Sequence, residues 1–159
     1  MNSNTALAPQ AAPDTHTDTQ SLVEQLRAMR PVTSVPQDTL DLTYAMAYHW
    51  LQAGEFDKAR PAFEMLWRVC PDQAHFCAGL AQSALGQNEP DVAVSYFLLA
   101  LGIDENNAGY TLGLGRAFLA NKLPGHARLA LHMAQAMGQV SDPVVAAQAG
   151  AALALMGHA

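Results

Sequence analysis

Basic residues are scarce in this chain. Its 159 residues include 8 Lys and Arg against 14 Asp and Glu, for a formal net charge of −6. Such a balance offers no electropositive surface to a phosphate backbone, so nucleic acid is not an expected partner. Apolar runs long enough to cross a membrane are missing as well. No basic-then-apolar leader pattern opens the sequence, and the expectation is a cytoplasmic protein with no membrane partner. Cysteine is limited to Cys70 and Cys77 on either side of Pro71-Asp72. That spacing is not a C-x-x-C motif, and both are expected to be reduced core thiols. Catalytic signatures are absent too: there is no H-E-x-x-H, P-loop, G-x-S-x-G or dinucleotide fingerprint. His126 and His132 fall on different faces of a helix. Gly109, Gly113 and Gly115 follow no strand and step as packing residues do. The sequence therefore predicts no catalytic residue, metal ligand or cofactor, and a protein that is not an enzyme. Half of the residues are nonetheless hydrophobic, which excludes a wholly disordered chain.

What the sequence does contain is a repeat. The 34-residue step from Ala59 to Ala93 recurs from Ala93 to Ala127. The same step relates Met46, Leu80 and Leu114; Ala47, Ala81 and Gly115; Leu51, Leu85 and Leu119; Phe63, Phe97 and Leu131; and Val69, Ile103 and Met137. In each copy the small pair (Ala47 and Ala59, Ala81 and Ala93, Gly115 and Ala127) lets two antiparallel helices approach closely. The bulky residues fill the seam to the next hairpin. One hairpin cannot bury its apolar face alone, so the copies must stack. These residues resemble the tetratricopeptide repeat family, with Pro71 ending the first copy as that family's pattern expects. The resemblance implies an all-α fold, an α-solenoid of three helical hairpins with an N-terminal helix and a C-terminal capping helix.

Along the chain, residues 1–19 are polar and Ala/Pro-rich and are expected to be disordered. Residues 20–37 hold a short helix and a linker. Leu22, Val23, Leu26 and Met29 form one apolar stripe at helical spacing, with Ser21 and Glu24 as a capping box. So short a helix needs a surface to lie on. The stripe is expected either to cover an end of the solenoid or to mediate a homodimer, with dimerisation preferred. Residues 38–159 form the repeat domain, with copies at about 40–73, 74–107 and 108–138 and a last helix at 142–157. Asp38 and Asn88 are expected as helix caps, Gly54 as a left-handed terminator, and Gly138 as the end of the third copy. Pro61 conflicts with its helix. Asp142-Pro143 starts the last helix. That helix is Ala-rich and short of the polar outer face that a solenoid end normally needs.

The first helix of each repeat should line a concave face. The candidate groove residues are Tyr44, Tyr48 and Leu51; His75, Ala78, Gln82 and Leu85; and Leu112, Arg116 and Leu119. Such a lining suits an extended peptide with spaced apolar side chains. Ala78 and Gly79 are expected to leave a hollow beside the two tyrosines. The alternative is that Leu51, Leu85 and Leu119, which recur in every copy, are core. Repeat co-chaperones that grip a terminal carboxylate use Lys, Arg and Asn on these faces. Here Tyr44, Tyr48, Gly79, Gly109 and Gly113 stand at those positions, so a carboxylate would lack a cation to pair with.

The stretch from Pro36 to Gly54, with Asp-Thr-Leu, a Tyr-rich helix and then Gln-Ala-Gly, resembles the entry to the first repeat of class II chaperones of bacterial type III secretion. That resemblance implies a cytoplasmic chaperone whose partners are hydrophobic translocator proteins, held by an extended segment in the groove. It also implies dimers formed through N-terminal helices. Trp50, Trp67 and the Ala-rich tail depart from the family's pattern. The alternative function is a tetratricopeptide interaction scaffold or a secretion regulator.

Overall fold

The computed structural model describes residues 35–157. The expected tail, the helix at 21–30 with its stripe Leu22, Val23, Leu26 and Met29, and most of the linker lie outside the described residues.

Seven helices follow one another: α1 (Gln37–Gln52), α2 (Phe56–Val69), α3 (Ala74–Gly86), α4 (Pro90–Ile103), α5 (Ala108–Ala120), α6 (Pro124–Ser141) and α7 (Pro143–Gly157). The described residues contain no strand. Each helix packs on the next, and α1, α3, α5 and α7 also touch in turn. The odd-numbered helices therefore form one layer and α2, α4 and α6 the other. These are the three stacked hairpins that the 34-residue step predicts, followed by the expected C-terminal helix.

The small pairs sit where the helices cross. Ala47, Ala59, Ala81, Ala93 and Ala127 are all fully buried. A Cβ added at Gly115 would come within 2.8 Å of Leu131 Cδ2, so alanine is already too large there. Phe63 and Phe97 are the largest fully buried side chains. Phe63 lies against Gly79, and Phe97 against Gly113, so closely that a Cβ at either glycine would overlap the ring. Gly79 is thus not the edge of a hollow, as expected, because Phe63 occupies the space its missing side chain leaves.

Turns inside the hairpins repeat as well. Gly54, Asn88 and Lys122 all have positive φ, at 75°, 62° and 58°. After each, an N–H closes back on the carbonyl five residues earlier: Glu55 to Trp50, Glu89 to Ala84 and Leu123 to Phe118. These are Schellman closures. Asn88 is therefore the left-handed residue and not the expected cap of α4, whose flanking residue is Glu89. Asp38 is likewise not a cap. Pro36 flanks α1 and its carbonyl accepts from Thr39 and Leu40, which places Asp38 in the first turn, facing the helix dipole.

The expected start at Asp142 does form a cap, its Oδ1 accepting from Val144 and Val145 N–H. Asn107, not among the expected caps, caps α5, its Oδ1 accepting from Tyr110 N–H. Gly138 does not end the third copy, since α6 runs on to Ser141. The glycine is instead a crossing point, where an added Cβ would meet Ala146 N at 2.7 Å. α2 is continuous through Pro61, which is exposed on the outer layer.

Candidate peptide groove

Helix α1 faces α3 with a step of 34, so Asp41 lies opposite His75, and His75 opposite Gly109 on α5. Around this row the inner layer opens into two hollows. The first, of about 240 Å³, is lined by Gln37, Leu40, Asp41, Tyr44, Cys70, Gln73, His75 and Phe76. The second, of about 270 Å³, is lined by Leu51, Gln52, Phe56, Gln82, Leu85, Phe97, Gly109, Leu112, Gly113 and Arg116.

An aromatic cluster builds the first hollow. Tyr44 meets His75 edge-on at 5.0 Å, Phe76 at 5.8 Å and Phe63 at 6.1 Å between ring centroids. Its ring is half-buried, and burial pushes its hydroxyl pKa above the ordinary value, with Tyr48 adding to the shift. Burial also lowers the His75 pKa, favouring a neutral ring at pH 7. Tyr48, 6.1 Å from Tyr44, stands in solvent at 48 % exposure. The rim thus offers a carboxylate (Asp41), two amides and a neutral imidazole around apolar rings. That set suits peptide N–H groups better than an anion.

The second hollow carries one cation. Arg116 is exposed, and its Nη2 donates to Gln148 Oε1 on α7 at 3.0 Å. A guanidinium has five donors, so others stay free for a peptide carbonyl.

Of the ten predicted residues, Tyr44 and His75 line the first hollow and Leu51, Gln82, Leu85, Leu112 and Arg116 the second. Tyr48 stands beside the first. Ala78 is buried in the central core at 4 % exposure, and Leu119 packs against the C-terminal cluster, so neither lines a hollow. Gly109, placed on a groove-facing helix face from the sequence, does line the second hollow, but sequence reasoning missed Asp41, 34 residues before His75. It also missed Phe56 and Phe97, which come from the outer layer and reach the groove between inner helices. Cys70, expected in the core, is only half-buried and lines the first hollow; Cys77 is fully buried. Among the described residues no group of three His, Cys, Asp or Glu side chains is placed to hold a metal ion, and no helix is long and apolar enough to cross a membrane.

The architecture is that of an α-solenoid of tetratricopeptide type with an open inner groove. No family model matches the chain, and no curated protein matches it in sequence. Solved structures match it in fold. PcrH, of Pseudomonas aeruginosa, in complex with the chaperone binding region of PopD superposes with a TM-score of 0.74 at 22% identity, over 80% of this chain and 98% of that one. The type III secretion translocator chaperone SycD of Yersinia enterocolitica gives 0.71 at 18% identity, over 76% and 91%. The first tetratricopeptide domain of Spaghetti, bound to an HSP90 peptide, gives 0.68 at 14% identity, over 78% and 94%.

Proposed function

We propose that this chain is a type III secretion chaperone that acts by binding and not by catalysis. It holds an extended segment of a hydrophobic translocator protein in the groove and keeps that client soluble in the bacterial cytoplasm before export. The observation that carries the reading is the pair of hollows. They are separated along one concave face, apolar in floor and fringed with peptide-compatible donors and acceptors. An extended strand that drops a side chain into each hollow would leave its backbone near Asp41, Gln82 and Arg116. The likeness to PcrH and SycD supports the same reading, since the former was solved with a client segment and the latter is a translocator chaperone.

The Spaghetti likeness favours a second class, a co-chaperone scaffold for peptide termini. The groove chemistry speaks against it. A terminal carboxylate needs cations, and the first hollow presents the Asp41 carboxylate in their place.

Co-expression tests the proposal. A translocator with membrane-length apolar segments, encoded beside this chain, should stay soluble and co-purify with it. Precipitation of that client in both the presence and the absence of the chain would reject the chaperone reading.

A further inference from the structure

The repeat itself defines an interaction surface at the first end of the solenoid. Leu42, Ala45, Met46 and His49 of α1 occupy the positions that, 34 residues on, hold Phe76, Gly79, Leu80 and Ser83. On α3 this face is covered by the first hairpin: Phe76 is 5 % exposed, and Leu80 and Ser83 0 %. On α1 the equivalent face is bare among the described residues. Leu42 is 64 % exposed and Met46 45 %. With half-buried Trp50 they frame an apolar hollow of about 270 Å³ lined by Ala45, Met46, His49 and Trp50.

We propose that residues 21–30 of this same chain seat on that face, in the place where an outer-layer helix of a preceding hairpin would lie. The stripe Leu22, Val23, Leu26 and Met29 supplies an apolar side at helical spacing. The connection is long enough. Residues 70–73 join α2 to α3 and residues 104–107 join α4 to α5, whereas residues 31–36 separate Arg30 from α1. Six residues reach about 20 Å, twice the roughly 8–10 Å between packed helix axes.

Charge order fixes the direction. Running antiparallel to α1, the segment sets Arg27 and Arg30 near Asp38 at the start of α1, and Glu24 toward His49. The reverse direction would bring Glu24 to Asp38. The expectation of a homodimer through this stripe rested on its having no place on the solenoid. The end face of α1 is such a place, within reach of the same chain.

Disulfide trapping in the full-length chain tests this. In a Cys70→Ser background, Leu26→Cys is paired in turn with Leu42→Cys, Met46→Cys and His49→Cys, and each variant is oxidised. At least one pair should close almost completely into a species of one-chain mass with both engineered thiols consumed. A two-chain species as the main product would assign the face to a second copy and overturn the proposal, as would failure of all three pairs. A second readout guards against misfolded variants. With Trp67→Phe, Trp50 is the sole indole, and adding Leu26→Asp should shift its emission to the red while α-helical circular dichroism holds. Unchanged emission would also overturn the proposal.

Discussion

Between the hairpins one contact is made twice: Phe63 fills the space beside Gly79, and Phe97 the space beside Gly113. On the concave face Leu51 and Leu85 repeat at the second hollow, but along the row of His75 nothing is made twice. Asp41, His75 and Gly109 hold one position in successive repeats and share neither charge, size nor hydrogen-bonding capacity. The seam has one task in every copy, to exclude water from a crossing of fixed geometry, so its residues converge. Under the proposed function the concave face would meet a client whose side chains differ along its length, which accounts for residues that diverge. Within this solenoid the fully buried seam repeats and the row of His75 does not.

The largest predicted effect lies on the seam. Phe63→Ala and Phe97→Ala should each cost about 3–5 kcal/mol, because each leaves a void against a glycine that cannot refill it. Tyr48→Ala, on the concave face, should change stability by less than about 0.5 kcal/mol. Denaturant unfolding of the three variants measures both, and comparable losses would erase the distinction between the two regions. Next, Ala93→Leu should overpack the central crossing and cost about 1–3 kcal/mol. A neutral result there would mean that the crossing is looser than the fully buried Ala93 implies.

Most of the seam is legible in the sequence, since the 34-residue step locates Ala47, Ala59, Phe63 and their counterparts without any structure. The groove is legible only in part. Looking only at first helices finds Tyr44, His75 and Arg116 but cannot see Phe56 or Phe97 arriving from the outer layer. It also misreads Ala78 and Gly79, because which partner fills a small residue's space is a tertiary fact. Asn88 and Gly138 mislead for a related reason. Local propensity suggests a cap and a terminator, but the hairpin turn needs a left-handed residue at position 88, and the crossing with α7 needs a small one at position 138.

The two cysteines divide between the regions. Burial pushes the Cys77 thiol up to about 12, while Cys70 lines the first hollow. In the native protein an aqueous thiol reagent should therefore modify one cysteine per chain, and the second only on unfolding. Rapid modification of both would place Cys77 outside the core.

A smaller effect is expected with pH. Burial holds His75 below its ordinary value of 6.5. The unfolded chain then binds its proton first as pH falls, so the stabilisation present above pH 6.5 is lost on acidification toward the lowered folded value. Thermal melts from pH 7.5 to 5 should show that loss, and His75→Gln should flatten it. An identical slope in the variant would assign the loss to other groups.

The central claim is that a client segment lies in the concave face. Calorimetric titration of the N-terminal segment of a co-encoded translocator tests it most directly, with wild type compared against Gln82→Trp. Gln82 is exposed on the rim of the second hollow, so an indole there can fill the hollow without entering the core. The account predicts an unchanged melting temperature and a loss of affinity of about 2 kcal/mol or more, the scale of an interface hot spot. Full affinity in a well-folded Gln82→Trp protein would place the client elsewhere and contradict the account.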